Sequence, residues 1–563
     1  MFDKPPLASQ ISIKLDGAVI QHELLKNLSS AVVDQHAYLP GMFTLTFRDS
    51  HLALLDKGPF DLTKTVIVEA EDETGKPFLL IEGEITALEP VFREGMIADL
   101  VVRGYDKSHR LFRETKSKAF LNKKDSDLAS EIAQKAGLKA EVEATQTVYD
   151  HIFQHNQSDL AFLTQRAWRI GYECYVSEGK LFFRKPPVGE AGVALTWGQD
   201  LLSYQPSMTL AEQVDEVIVR GWDFQKKEAI VGRAETGKLY PKIKESKNGA
   251  SWAETFGTGK VTVVNQPVVS QAEADTLAAA RLNELSGTFV EAEGEALRRP
   301  DIKAGGSVEI TGLGARFSGK YLVTSATHIY TPEGLKTLFS VRGARTGLLS
   351  ERLGNHGPLE QWPGVVTAIV TNTEDPKKWG RVKVKYPWMT EEAESDWARI
   401  VGAGAGPKAG FFALPEKEDE VLVVFEHGDF NRPFVLGGLW NGKDAVPPKS
   451  DSAPSGEKPL IRTWCSRKGH RFTVYDNADN KIEVETAGKH QLVLDDANKK
   501  ITLTSGSGSL KIIMDDSGKK ITIESSGEIE IKAGSNLKLQ ASANIDVQAG
   551  GQVTVKGTVV NIN

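Results

Sequence analysis

Cysteine is almost absent from this chain, with only Cys174 and Cys465 among 563 residues. Two cysteines so far apart in sequence argue against a disulfide framework and against a cysteine-based metal cluster. The sequence also lacks a basic block, and its formal net charge is −7. Because binding to phosphate groups depends on clustered lysine and arginine, we expect no nucleic acid partner.

Long apolar runs are missing as well, so no segment is expected to cross a bilayer as a helix. The N-terminal MFDKPPLASQ lacks the positive region and the apolar core of a signal peptide, and we therefore expect the protein to be made in the cytoplasm. The length predicts several domains. The 52 glycines and the aromatic content of 8% favour β-structure with many turns.

The C-terminal part of the chain repeats itself at two spacings. LVLDDANKKITLTSG at residues 492–506 recurs as IIMDDSGKKITIESSG at residues 512–527, after a looser copy that begins at Phe472. Each copy predicts a strand, a polar turn and a second strand. Farther on, apolar residues recur every eight residues in two series: Ile521, Ile529, Leu537, Ile545 and Val553, and two positions later Ile523, Ile531, Leu539, Val547 and Val555.

Each octad predicts one short strand and a corner, because two apolar residues that alternate with polar ones are followed by small or polar residues. Eight extended residues cover about 25 Å, which is too short for one coil of a single-chain β-helix. Three identical chains wrapped together would bury the apolar pairs along a common axis. The octads therefore predict a homotrimer whose core is formed by those ten residues, with an ordinary antiparallel meander as the alternative.

Residues 361–443 predict a second kind of β-structure. Five short strand patterns, separated by glycine and proline, are typical of a small OB-type barrel: GVVTAIVTN, GRVKVKYPW, WARIVGAG, DEVLVVFEHGD and RPFVLGGLWNG. Nucleic acid binding by such a barrel requires a positive groove, and acidic residues outnumber basic ones in this segment.

This segment contains a set of residues with a recognisable pattern: Trp379 to Trp388, Trp397 to Ile400, Pro415, Asp419 to Val421, Phe425-Glu426, Gly428-Asp429, Arg432-Pro433 and Trp440 to Gly442. In these residues the segment resembles the barrel of VgrG-type spike proteins, which belong to contractile injection systems of phages and secretion machines. One departure is Glu418, at a position where the family usually has glycine.

The resemblance extends to the first 350 residues, including HNQSDLAFLTQRAWRIGYECYV at residues 155–176. It implies a mainly β fold with a tandem β-barrel hub and a helical insertion, an OB-fold barrel and a C-terminal intertwined trimeric β-helix. We expect a hub at residues 1–355 with its insertion around 106–200, an OB domain at 356–443, a linker at 444–460 and a shaft at 461–563. Helices are expected at 127–136, 159–170 and 271–285.

Histidines and acidic clusters are the candidate enzymatic features of the sequence. His151 and His155 have a spacing that would suit two metal ligands on a helix, but HExxH is absent, and His109, His328 and His427 each stand alone. The linker is too short for a lysozyme module, and the acidic clusters lie in polar loops. We therefore expect no catalytic residue, no cofactor and no metal.

The family resemblance also implies a function: a structural, non-enzymatic spike that punctures a membrane, made in the bacterial cytoplasm and incorporated at the baseplate of an extracellular or membrane-anchored particle. Implied partners are two further copies, tail tube and baseplate proteins, effector cargo, a transiently contacted target membrane and a PAAR-type tip protein. The residues expected to contact the tip protein are Thr558, Val559, Val560, Asn561, Ile562 and Asn563. A receptor- or glycan-binding tail fibre or adhesin is the alternative, and a peptidoglycan hydrolase is a third.

Overall fold

A computed structural model describes residues 10–190, 192–238, 241–345, 362–450 and 458–562. The chain divides into two compact units, Met1–Leu439 and Trp440–Asn563. Within the described residues, no helix is both long enough and apolar enough to span a membrane.

The part of the first unit that precedes residue 346 is called the hub. Its helices are α1 (His22–Leu25), α2 (Ala53–Lys57), α3 (Asp125–Lys135), α4 (Asp159–Arg169), α5 (Gly249–Ala253), α6 (Gln271–Gly287) and α7 (Gly314–Phe317). Its strands are β1 (Ile11–Leu15), β2 (Ala18–Val19), β3 (Leu28–His36), β4 (Met42–Arg48), β5 (Thr65–Glu71), β6 (Pro77–Arg93), β7 (Ile97–Asp106), β8 (Thr115–Lys123), β9 (Lys139–Val142), β10 (Tyr149–Ser158), β11 (Glu173–Ser177), β12 (Lys180–Arg184), β13 (Val193–Thr196), β14 (Leu201–Met208), β15 (Glu216–Asp223), β16 (Glu228–Ala234), β17 (Lys242–Ile243), β18 (Lys260–Val263), β19 (Val290–Leu297), β20 (Ser307–Thr311), β21 (Gly319–Leu322), β22 (Ser325–Thr331) and β23 (Gly334–Val341).

An eleven-stranded sheet organises the hub, in the order β14-β19-β23-β22-β3-β4-β7-β6-β5-β1-β2. Strands β3 and β22 join its two halves as an antiparallel pair, in which Val33 lies opposite His328. One half packs around a core that includes Ile13 and Phe43, and the other around a core that includes Tyr321. The mainly β fold class is confirmed.

The predicted helices of the hub are confirmed, with bounds that differ by up to two residues. Helix α4 begins after Ser158, whose side chain accepts a hydrogen bond from the amide of Ala161. The helix is held on two sides by buried ion pairs: Arg166 with Asp125 of α3 at 2.6 Å, and Arg169 with Glu273 of α6 at 2.7 Å. Removing one partner of such a buried pair leaves the other charge unpaired and lowers the free energy of unfolding by about 3–5 kcal/mol. The two ion pairs therefore fix α4 between its neighbours.

The OB domain follows the hub within the same unit, and its five predicted strand regions are confirmed. Its sheet has the order β25-β24-β29-β30-β26. The amides of Val382 and Ala398 each bond to the other's carbonyl, at 3.0 and 2.7 Å, and thereby close the sheet into a barrel. The strands of this domain are β24 (Val365–Asn372), β25 (Lys383–Lys385), β26 (Arg399–Ile400), β27 (Ala405–Gly406), β28 (Ala409–Gly410), β29 (Glu420–Phe425) and β30 (Pro433–Gly438).

The second unit contains a seven-stranded antiparallel sheet in which every strand pairs with its neighbours in sequence. The three sequence copies form the hairpins β32–β33, β34–β35 and β36–β37, which confirms the strand, turn and strand predicted for each copy. No strand is present between residues 528 and 562, all of which the structure describes. The seven strands are β31 (Ile461–Cys465), β32 (Arg471–Tyr475), β33 (Lys481–Glu485), β34 (Gln491–Asp495), β35 (Lys500–Thr504), β36 (Leu510–Asp515) and β37 (Lys520–Ser525).

Candidate functional site

One face of the seven-stranded sheet is apolar from its first strand to its last. Each strand after β31 contributes two apolar side chains two positions apart, and the register of the ladder places them opposite those of the next strand. The result is two columns, here called the shaft columns. The first column contains Trp464, Phe472, Val484, Leu492, Leu503, Ile512 and Ile523, and the second contains Val474, Ile482, Leu494, Ile501, Met514 and Ile521.

The shaft columns lack cover from the described residues of their own chain. Apart from the half-buried Val474, their side chains are between 37% and 68% exposed. Apolar patches of this extent are unusual on a soluble monomer and mark an interaction surface. The columns therefore predict a partner.

The opposite face of the sheet carries two buried carboxylates that share one lysine as a partner. The Nζ of Lys449 lies 2.7 Å from Oε1 of Glu483 and 3.0 Å from Oε2 of Glu485, and both carboxylates are buried. Hydrogen bonds from Lys489 and Lys449 hold the pKa of Glu485 below its usual range. These two carboxylates therefore have a partner within the chain, in contrast to the apolar side chains of the shaft columns.

The ten residues predicted as the trimer core fall into two groups. Ile521 and Ile523 lie in β37 and are the last members of the shaft columns. The other eight follow β37 outside any strand and are between 52% and 71% exposed: Ile529, Ile531, Leu537, Leu539, Ile545, Val547, Val553 and Val555. The octads thus continue the apolar pairs of the sheet, but without a strand partner in their own chain.

The predicted tip residues are also exposed, with Val559 at 75% and Ile562 at 89%. Val560 is 48% exposed, and Thr558 and Asn561 are exposed as well. Asn563 lies outside the described residues. An apolar end without cover is consistent with a capping partner, and that partner remains a prediction.

Sequence reasoning missed eleven members of the shaft columns, from Trp464 to Met514. The signal was available in each repeat copy, where apolar residues alternate with polar ones over one strand and again after the turn. Equivalent residues of the copies are twenty positions apart, as in Phe472, Leu492 and Ile512, whereas the octads repeat every eight positions. Because the two spacings differ, the sequence alone did not show that the apolar pairs of the copies continue into the octads.

His151 and His155 lie in strand β10, where residues four apart are separated by about 13 Å, too far to share one metal ion. The Nε2 of His151 is 2.9 Å from the carbonyl oxygen of Glu394, and the ring of His155 stacks on that of Phe430 at 5.0 Å. Both histidines thus belong to the contact between the hub and the OB domain. Within the described ranges, no group of three or more histidine, cysteine or acidic side chains is placed to hold a metal.

The three isolated histidines have separate local roles. The Nε2 of His109 lies 2.8 Å from Oε2 of Glu84, and His427 adopts a φ of 51° in a short turn. His328 is buried in β22, with its Nδ1 3.0 Å from Oγ1 of Thr337. Burial lowers the pKa of His328 to about 4.

We expect the contribution of His328 to hub stability to fall as the pH drops from about 6.5 to about 4. The buried carboxyls of Asp106 and Glu173 contribute with the opposite sign, because burial raises their pKa values to about 6 and about 7. The unfolded chain takes up a proton on His328 near pH 6.5, whereas the folded chain resists it, so stability is complete above that pH and is lost below it by up to about 3 kcal/mol. Denaturant unfolding between pH 4 and 7 measures this slope. The difference in unfolding free energy between the parent and His328→Gln should shrink as the pH falls, whereas the difference between the parent and His22→Gln, at an exposed position, should stay constant. Equal slopes in the parent and H328Q would refute the assignment.

Comparisons with known proteins agree with this architecture. Residues 366–440 match the type VI secretion system/phage-baseplate injector OB domain. The type VI secretion system spike protein VgrG1b of Pseudomonas aeruginosa is 27% identical over 197 residues, covering 32% of this chain and 24% of that protein. VgrG1c of the same organism is 33% identical over 155 residues, covering 24% of this chain and 21% of that protein. The matched regions thus span less than a quarter of either relative.

A solved structure described as the Francisella PdpA-VgrG complex in its lidded form has the same fold, with a TM-score of 0.50 and 9% identity. The alignment covers 92% of this chain and 80% of that one. A further family description, the Alg8 N-terminal domain, matches residues 79–331. That match begins inside β6 and ends with β22, so it includes parts of both hub cores and the whole helical insertion.

Proposed function

We propose that the chain is a spike protein of the VgrG type and that three copies assemble into the structural spike and hub of a contractile injection system. The hub would join the tail tube and baseplate proteins, and the shaft would carry the tip that punctures a target membrane. The spike would consist of four regions: the hub at residues 1–355, the OB domain at 356–443, a linker at 444–460 and the shaft at 461–563. The role is structural and non-enzymatic.

The observation that carries this proposal is the uncovered pair of shaft columns and their continuation into the octads. Three sheets facing one another would bury all of these side chains at a common axis, and a closed symmetric arrangement limits growth to three copies. Burying a half-exposed leucine or isoleucine completely is favourable by roughly 1 kcal/mol. Many such side chains in each chain would make the trimer resistant to dissociation.

A three-sided shaft also suits mechanical load. In the trimer, each octad strand would pair with strands of the other two chains, so that no free strand edge remains. A shaft without edges resists both bending and unfolding when a contracting sheath drives it forward. Effector cargo would travel with the spike, and assembly at the baseplate would follow synthesis in the bacterial cytoplasm.

We expect the apolar end of the shaft to be covered by a separate tip protein of the PAAR type. Three copies of residues 557–562 side by side would offer exposed strand edges and the side chains of Val559, Val560 and Ile562, and a partner that adds strands to those edges would cover both. Deleting residues 557–563 should leave the trimer intact because the octads upstream remain.

The test is a pull-down of the candidate tip protein by full-length and truncated spike, with both spikes sized in parallel. The truncated spike should lose the tip protein and remain trimeric. A Val559→Ala/Ile562→Ala variant of the full-length chain should capture less tip protein, although the chain is not shortened. Equal capture of the tip protein by the full-length and truncated spikes would show that the cap binds elsewhere.

A further inference from the structure

The two parts of the shaft differ in where their backbone hydrogen bonds lie. In the sheet, each strand bonds to its neighbour in sequence; β36 and β37 are an example, with Ile512 opposite Ile523. The turns are short, since only residues 496–499 separate β34 from β35. Contacts between neighbours in sequence form quickly and within one chain. A single chain can therefore build this sheet before it meets another copy.

The octads that follow β37 have no such partner among the described residues. The last backbone bond of the unit runs from the amide of Ser526 to the carbonyl of Ser509, at 3.1 Å, and none joins residues 528–562 to one another within that described range. An isolated short strand is not stable in water. The backbone groups of the octads can therefore form a ladder only after other chains are in place.

The sheet supplies the point from which that ladder can grow. Strand β37 pairs with β36 on one side and forms the edge of the sheet on the other. An open strand edge is a template for another strand. The octads begin directly after this edge and carry the same apolar pair spacing, so the surface is continuous from β37 onward.

We propose that the shaft columns of the sheet are the primary self-association surface, which holds three copies together without help from the octads. The octads then order from residue 528 towards residue 562. This inference rests on the proposed trimer and adds an order of assembly to it. One consequence is that the tip surface at residues 558–562 forms last and exists only in a complete spike, so a tip protein would recognise finished trimers alone.

Two matched variants of the full chain test the order. The sheet variant Val484→Asp/Leu494→Asp places carboxylates in both shaft columns at positions that are exposed in the single chain, so the fold of one sheet is retained. The octad variant Leu539→Asp/Val547→Asp makes the same chemical change in the octads. Thr502→Asp, on the opposite face of β35, is the control.

Sedimentation gives the mass of each variant, and trypsin cleavage at Lys532, Lys538 and Lys556 reports whether the octads are ordered. The octad variant should remain a trimer, with its octads cleaved. The sheet variant should be a monomer with cleaved octads, which corresponds to a dissociation constant raised roughly a thousandfold or more. The control should match the parent in both measurements.

A monomeric octad variant, or a trimeric sheet variant with protected octads, would overturn the proposed order. Amide exchange in β33 to β36 shows whether the sheet variant is folded. If the sheet variant is unfolded, the oligomeric state of the octad variant alone tests the proposed order. A monomeric parent chain would instead contradict the proposed trimer, so the two failures are distinguishable.

Discussion

A chain that ends after Ser450 is expected to be a monomer whose hub and OB domain remain folded. Removing the shaft removes both the shaft columns and the octads. These are the exposed apolar surfaces from which we predict association. The hub and OB domain have buried cores of their own, so they should not depend on the shaft for folding. Sedimentation gives the mass of the shortened chain, and thermal unfolding shows whether it is folded.

The matched control for this truncation is a chain that ends after Ser526, which keeps the seven-stranded sheet and loses most of the octads. It should remain a trimer. A shortened chain ending after Ser450 that still sediments as a trimer would place the main interface in the hub or the OB domain.

Phe153→Ala is expected to destabilise the contact between hub and OB domain by about 3–5 kcal/mol, as is typical when a buried phenylalanine is removed. Phe153 belongs to hub strand β10, yet its side chain is 2% exposed and is part of the OB core. Its ring lies 5.0 Å from that of Phe430, and its amide donates a 2.6 Å hydrogen bond to Oδ1 of Asn431. Removal of the ring would leave a cavity in the OB core where strand β10 of the hub packs against it.

Thermal unfolding of the chain that ends after Ser450 measures this effect without the shaft. The parent should unfold in one transition, whereas Phe153→Ala should unfold earlier and separate the OB domain as its own transition. Leu121→Ala is the control because Leu121 is exposed on the neighbouring strand β8, opposite His151. A single transition at the parent temperature in Phe153→Ala would show that this ring does not couple the two domains.

Local patterns were enough to predict much of this fold. The OB strands follow from short alternating runs between glycine and proline, and α4 follows from its Ser158 cap and from Gly171, which has a φ of +71°. The hairpins of the shaft follow from the repeat itself. In each case the residues that determine the element lie within or next to it.

Long-range pairing could not be predicted in the same way. Nothing near Val33 identifies His328 as its neighbour, and nothing near Phe153 places that ring in the core of a domain that begins two hundred residues later. The upstream shaft columns were missed for a related reason. Their apolar alternation resembles that of any half-buried strand, and only the register of all seven strands reveals one continuous uncovered surface.

Glu418 shows how a departure from the family pattern is accommodated. Glutamate stands where the family usually has glycine, and its φ of 75° lies in the left-handed region that favours glycine. The turn is nevertheless retained, since the amide of Glu418 bonds to the carbonyl of Val370 at 2.9 Å. The neighbouring strands β24 and β29 therefore determine the backbone conformation at this corner.

The most direct test of the central claim is the mass of the purified full-length chain in solution at micromolar concentration. Sedimentation equilibrium should give three times the mass of one chain, because the described residues of a single chain leave the shaft columns and the octads exposed. A stable single-chain mass under the same conditions would contradict the trimeric shaft.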